Sequence, residues 1–312
     1  MNSLVTGGAG FIGSHLAERL VRDGHRVRVV DNLSTGLEQN LAHLKQDLEL
    51  QRGDIRDPAV CRQACAGVDL IFHVAALPSV PRSMADPWAS HDHNVNGTVQ
   101  LLVAARAAGA RRVVYSSSSS IYGDTPVLPK VETLEPLPRS PYAAAKLGGE
   151  QAVLAYSRSG LLEGVALRYF NVFGPRQHPG SAYAAIIPVL FEGALQGSSA
   201  LLFGDGKQTR DFTYVTNVVE ANLLAASAIA EKSCGWPINI GAGARTSLLE
   251  LIQLVEEITG KSVRLDRRPA REGDVRDSLA SLDRAAELLG YRPDVALREG
   301  LRITWDWFRA SK

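Results

Sequence analysis

The chain has 312 residues, 45% of them hydrophobic and 21% charged, with a formal net charge of +1. That composition is an ordinary globular one, and the near-neutral balance excludes a global electrostatic attraction to nucleic acid or to a membrane surface. Cys61, Cys65 and Cys234 are too few for a disulfide framework; Cys61 and Cys65 could share a helix face, but no second Cys or His pair with metal-ligand spacing follows, so no metal site is expected.

In chain order, residues 3–6 read as a strand and Phe11–Arg22 as an amphipathic helix. Further strands are expected at 27–30, Leu48–Arg52, 70–74 and 112–116, with helices at 95–108 and 141–157. Strands alternating with helices of this length give an α/β class, here a Rossmann-type doubly wound parallel sheet. After residue 170 the pattern loosens around Pro175, Pro179, Gly180 and Pro188, and another helix is expected at 247–259. The charged stretch 267–277, with Pro269 and Gly273, reads as an ordered loop. We therefore divide the chain into a nucleotide-binding domain, residues 1–170, and a smaller α/β substrate-binding region, residues 171–312. Some of the later chain is expected to cross back into the first domain. A strand and glycine turn within ten residues leave no room for a secretory leader, and no apolar run reaches membrane-spanning length. The expected location is cytoplasmic.

The opening T-G-G-A-G-F-I-G places Gly7, Gly10 and Gly13 between the first strand and the first helix. Gly7 suits a tight turn, Gly10 a close approach of backbone to a pyrophosphate, and Gly13 close packing of helix on sheet. The N–H groups at the helix start would face the phosphates. Asp31 ends the second strand, in D-N-L-S-T-G. Its carboxylate can accept from a ribose 2′-hydroxyl and would repel a 2′-phosphate, which favours NAD over NADP. Asp54, after the next strand, is placed to accept from an adenine amine.

Tyr142 and Lys146 form Y-x-x-x-K, one helical turn apart on one face, with Pro141 at the helix start. A tyrosine with an ordinary pKa near ~10 is a poor base at neutral pH. A nearby ammonium and a cationic nicotinamide would lower it. The run Y-S-S-S-S-S-I-Y-G-D supplies strand-end hydroxyls, of which Ser118 is the expected third catalytic member and Ser119 a second contact.

These features resemble the extended short-chain dehydrogenase/reductases and, within them, the UDP-hexose 4-epimerases. The resemblance runs from Thr6 to Pro293 through F-H-V-A-A, N-V-N-G-T, L-R-Y-F-N-V-F-G-P-R, G-D-G-K-Q-T-R-D-F, R-E-G-D and L-G-Y-R-P. It implies cofactor contacts at Gly7, Gly10, Phe11, Ile12, Asp31, Asn32, Asp54, Ile55, Ala75, Ala76, Asn94 and Lys146. The expected cofactor set also takes in Ser34, Thr35 and Gly36, with Tyr142 and Tyr169. On the substrate side the resemblance implies Asn171, with Arg210 and Arg271 on a UDP diphosphate. Ser79, Ser118, Ser119, Tyr142, Asp274 and Ser278 complete that set.

Related dehydratases place an Asp-Glu pair after the catalytic hydroxyl, and related decarboxylases a glutamate at the position of Ser120. Here both positions after Ser118 are serine. That leaves oxidation and reduction at C4, which is epimerisation with NAD retained between turnovers. In the family, a bulky tyrosine at the position of Ser278 disfavours N-acetyl sugars, so the small serine points to UDP-GlcNAc and UDP-GalNAc, with UDP-glucose and UDP-galactose as further substrates. The alternatives are a UDP-hexuronic acid 4-epimerase and, outside enzymes, an NAD-binding sensor or scaffold. The resemblance implies a homodimer, with no nucleic-acid or membrane partner.

Overall fold

A computed structural model describes residues 1–178, 185–269 and 275–311. Seven strands form one parallel sheet: β1 (Asn2–Thr6), β2 (Arg26–Asp31), β3 (Leu48–Arg52), β4 (Leu70–His73), β5 (Arg112–Ser118), β6 (Glu163–Tyr169) and β7 (Pro237–Ile240). Their order is β7-β6-β5-β4-β1-β2-β3. Chain order reverses between β1 and β4, so a crevice opens at the carboxyl ends of those strands, where doubly wound sheets bind ligands.

Both faces are covered, as a parallel sheet requires. On one side α1 (Phe11–Arg22) packs Leu16, Ala17 and Leu20 onto Val5 and Val29. On the other, α2 (Pro58–Cys65), α3 (Gly97–Ala107) and α4 (Pro141–Arg158) cover Leu4, Ile71, Val113 and Ala166. Cys61 and Cys65 share the buried face of α2, and burial raises both thiol pKa values, Cys61 to about 11. They are packing residues.

A separate apolar core joins α5 (Ile186–Gln196), α6 (Val215–Ser227), α7 (Leu248–Thr259) and α8 (Leu297–Ala310) around Phe173, Phe191 and Trp305. Helix α6 reaches both cores, through Val215 here and through Val218 and Ala225 under the sheet. With strand β7 it returns later chain to the sheet.

Local expectations shift in three places. The helix expected at 95–108 is preceded by a turn of π-helix at Asp92–Asn96 and becomes regular at Gly97. Ser247 stands outside its helix as a cap, bonding reciprocally with Glu250. Arg267 and Arg268, expected in a loop, extend a strand at Leu265–Arg268 that pairs in parallel with Ala200–Phe203. Among the described residues, no helix is long and apolar enough to cross a membrane.

Candidate active site

The glycine turn is built by close contact. Gly7 has φ 68°, and a Cβ there would sit 2.7 Å from the Ala75 backbone. A Cβ on Gly13 would lie 2.2 Å from the Gly7 carbonyl oxygen, so only glycine lets α1 start this near the turn. Gly10 is different: its Cβ would meet Gly7 oxygen alone, at 3.1 Å. The backbone is thus open there, and Gly10, Phe11, Ile12 and Gly13 line a cleft of about 320 Å³ with the first helical N–H groups beside it.

That cleft is walled by residues from the carboxyl ends of six strands, β1 to β6. Asp31 ends β2, and Asn32, Ser34 and Thr35 follow it; Asp54 and Ile55 follow β3; Ala75 and Ala76 follow β4. Tyr142, Lys146 and Tyr169 close the far end. Asp31 is buried; it accepts from the N–H of Ala9 at 2.9 Å and of Leu33 at 2.8 Å, and burial still raises its pKa. Each oxygen keeps a lone pair for a further donor. These glycines, amides and acidic residue fit the dinucleotide expected from the sequence.

Three residues expected on the cofactor side also make contacts within the protein. Asp54 accepts from Arg56 N at 2.9 Å, Nε at 3.0 Å and Nη2 at 2.8 Å, and from Asn32 Nδ2 at 2.9 Å. Each of its oxygens accepts twice, so it anchors Arg56 and Asn32 while it lines the cleft. Asn94 is buried away from the cleft wall, and its amide clamps the backbone of Leu77 at 2.8 and 3.2 Å. Gly36 also lies behind the wall, where a Cβ would meet Ala9 carbon at 2.9 Å and Asp31 Oδ2 at 3.0 Å.

A second cleft, of about 340 Å³, adjoins the first and shares Ile12, Ser117, Tyr142 and Tyr169 with it. It gathers Ser118, Ser119, Asn171, Arg210 and Ser278. Ser278 is 8% exposed, and its N–H bonds the carbonyl of Thr209 at 3.2 Å. Ser79 caps the short helix Val80–Ala85, accepting from Arg82 N at 3.2 Å; its neighbour Val80 reaches this cleft, whereas Ser79 does not line it. Arg271 and Asp274 lie outside the described residues. The sequence reading missed His93 in the first cleft and Lys130 and Arg139 in the second. None of the three stands in a spaced motif, so the sequence offers no signal for them.

Helix α4 carries the Tyr and Lys. Ser140 accepts from the N–H of Ala143 at 3.2 Å and Pro141 occupies the first turn, which fixes where the helix begins. Tyr142 and Ser118 line the same cleft, close enough for the hydroxyl to act on the phenol, and Ser118 Oγ shares a 2.8 Å bond with Ser120 Oγ. Lys146 is 2% exposed, its ammonium 4.3 Å from the Tyr115 ring centre. Burial pulls its pKa down to about 7, and the Glu150 carboxylate opposes that fall. Burial raises Tyr142, with the Ser118 hydroxyl opposing. The lowered Tyr142 pKa expected from the sequence is therefore not produced by the protein alone; desolvation of the phenolate outweighs the groups around it.

Beneath these residues lies a buried ion pair. Glu150 accepts from Arg168 Nη2 at 2.7 Å and Nε at 3.0 Å, and from Ser117 Oγ at 2.6 Å. Arg168 also donates to Tyr122 Oη at 2.7 Å, which donates to Asn239 Oδ1 at 2.7 Å. The network ties α4 to β5, β6 and β7 directly below Ser118 and Tyr169.

The model of the NAD dependent epimerase/dehydratase family matches residues 3–241. The chain is 40% identical over 313 residues to a UDP-glucose 4-epimerase of Mycolicibacterium smegmatis, covering 99% of each. Among solved structures it is similar to a UDP-N-acetylglucosamine 4-epimerase of Methanobrevibacter ruminantium, in complex with UDP-N-acetylmuramic acid. That match has TM-score 0.93 and 37% identity, over 100% of this chain and 99% of the other. It is also similar to a UDP-glucuronic acid 4-epimerase of Bacillus cereus in complex with UDP-glucuronic acid and NAD, with TM-score 0.93, 32% identity and 100% of each chain covered.

Proposed function

The chain belongs to the NAD dependent epimerase/dehydratase family, and on that premise we propose that it is an NAD-dependent UDP-sugar 4-epimerase that interconverts UDP-GlcNAc and UDP-GalNAc, with UDP-glucose and UDP-galactose as further substrates. The observation that carries this reading is the junction of the two clefts at Tyr142, with Ser118 beside its phenol and Lys146 one turn along the same helix.

In the first cleft the Gly10 turn takes the pyrophosphate and Asp31 the ribose. NAD bound there would supply the reversible hydride chemistry at C4 and a positive charge that would favour the Tyr142 phenolate. Tyr142, with the Ser118 hydroxyl beside it, removes the C4 hydroxyl proton and gives it back after the 4-keto sugar has turned over. Arg210 holds the diphosphate through both half-reactions; an arginine fork suits phosphate oxygens. Ser119 and Ser120 have no acid or base strength for water elimination or decarboxylation, so the keto sugar is reduced again. Residues 1–170 serve the cofactor and residues 171–312 the UDP-sugar, with β7 and α6 lending support from the second part to the first. The exposed Val99 and Val103 on α3 suit a homodimer interface.

The test is to incubate the purified protein, without added NAD, with UDP-GlcNAc and UDP-glucose, and to resolve the epimers by chromatography. Conversion of UDP-GlcNAc is expected; conversion of UDP-glucose alone would overturn the sugar assignment. Ser278→Tyr should suppress the acetamido sugars more than UDP-glucose, and equal loss on both would remove Ser278 as a gatekeeper. Lys130 and Arg139, two cationic side chains lining the second cleft, favour one other reading: a sugar carboxylate, as in a UDP-hexuronic acid 4-epimerase. Turnover of UDP-glucuronate in place of the neutral sugars would decide for it.

A further inference from the structure

Asp211 follows Arg210 in sequence, is 0% exposed, and lines neither cleft. Its Oδ1 accepts from the N–H of Ala242 at 2.7 Å. Its Oδ2 accepts from the N–H of Gly243 and of Ala280, each at 3.1 Å. One carboxylate therefore joins three chain segments: its own, which follows the strand Thr209–Arg210, the turn that follows β7, and the segment carrying Ser278.

The fit is close. A Cβ on Gly241 would stand 2.7 Å from Asp211 Oδ2 and 2.7 Å from Ala280 Cβ. The carbonyl of Gly241 is fixed in turn by Tyr291 Oη at 2.9 Å. On the far side, Lys130 N–H donates to Leu279 O at 2.7 Å and Ser281 N–H to Lys130 O at 2.9 Å. Segment 278–281 is thus pinned between Asp211 and Lys130, while Ser278 N–H reaches Thr209 O next to Arg210.

We propose that Asp211 is a positioning residue for the substrate cleft, holding the Arg210 strand and the Ser278 wall at the separation a nucleotide-sugar requires. The proposal rests on the UDP-sugar reading of that cleft. Burial raises the carboxyl to about 6 against the pull of its N–H donors, so its charge is sustained at neutral pH by those backbone contacts. Neutralising it weakens all three at once, because charge-assisted bonds are roughly twice as strong as neutral ones.

Asp211→Asn keeps the shape and turns an amide NH2 toward a backbone N–H. The expected result is a KM for the UDP-sugar raised tenfold or more, kcat within about threefold, and unchanged NAD content per chain, since the first cleft does not touch Asp211. Gly241→Ala, which displaces the carboxylate without removing its charge, should raise KM in the same direction, and serves if Asp211→Asn does not fold. An unchanged KM in either folded variant, or a fall in kcat and NAD content with KM unchanged, overturns the proposal. Arg210→Met is the separate control. If KM does not rise in that variant, the substrate reading of the cleft has failed; if it rises there while Asp211→Asn is silent, the positioning role alone has failed.

Discussion

Glu150→Gln exposes the ion pair beneath the active site to a quantitative test. The side chains of Glu150 and Arg168 are 0% and 3% exposed, and the pair is bidentate. Glutamine fills the same volume and keeps one carbonyl acceptor, but it removes the counter-charge and leaves the guanidinium with neutral partners, Tyr122 Oη at 2.7 Å and Glu132 O at 3.4 Å among them. Removing one partner of such a pair typically costs about 3–5 kcal/mol, because the other charge stays buried and uncompensated. At roughly 2–4 °C per kcal/mol, the melting temperature should fall by about 10 °C. Glu150 also holds up the pKa of Lys146, which burial has brought to about 7. Without it the lysine should titrate lower, so activity at pH 7 should fall further than activity at pH 6. Thermal melts and a pH–rate profile read the two effects separately. A stability loss below about 1 kcal/mol would refute the reasoning, since it would mean that the Arg168 charge is satisfied without Glu150. The double variant Glu150→Gln/Arg168→Met should recover part of the loss.

Tyr142→Phe should abolish epimerisation while bound NAD, measured after denaturation, stays at the wild-type level; retained turnover would place the base elsewhere. Gly13→Ala forces a Cβ to within 2.2 Å of the Gly7 carbonyl oxygen. It should cost about 2 kcal/mol or more and strip the bound cofactor, read by urea melts and NAD content. His73 is fully buried between Thr6 Oγ1 and Thr98 Oγ1, each within 2.9 Å, and burial lowers its pKa from 6.5 to about 3. The unfolded chain binds a proton there below pH 6.5 and the folded chain does not, so this contribution is full above that pH and shrinks as pH falls toward 3. By pH 5 about 2 kcal/mol should be gone, and His73→Gln should show a flatter stability profile over that range.

What could be read from the sequence was chemistry bound to a fixed local spacing. A glycine turn and a Tyr–Lys pair one helical turn apart are set by a few adjacent dihedrals, so their residues arrive in one cleft whatever else the chain does. Strands β6 and β7 escaped the strand reading. β6 carries a buried arginine that only Glu150, on a neighbouring helix, makes tolerable, and β7 is four residues opening with proline at the sheet edge, where a missing N–H costs little. The contacts of Asp54 were hidden for a related reason: an acidic residue at a strand end announces an acceptor, but not that Arg56 and Asn32 bond to it.

The second cleft was harder to read, because its walls are closed by long-range contacts. Lys130 reaches the cleft through bonds to residues 279–281, and Ser278 through Thr209. No periodicity in the chain encodes those pairings. The division has a physical consequence for what distinguishes members of this fold. The cofactor turn is held by backbone contacts in which almost any added atom collides, whereas the wall at Ser278 is one side chain on a segment pinned from behind by Asp211 and Lys130. Substitution at such a position can change the room in the second cleft without disturbing the sheet, the glycine turn or the Tyr–Lys pair. Substrate choice is therefore expected to vary at Ser278 while the supporting carboxylate of Asp211 stays fixed. A Ser278→Tyr protein that lost its cofactor along with its acetamido-sugar activity would show that the two clefts are not separable in this way.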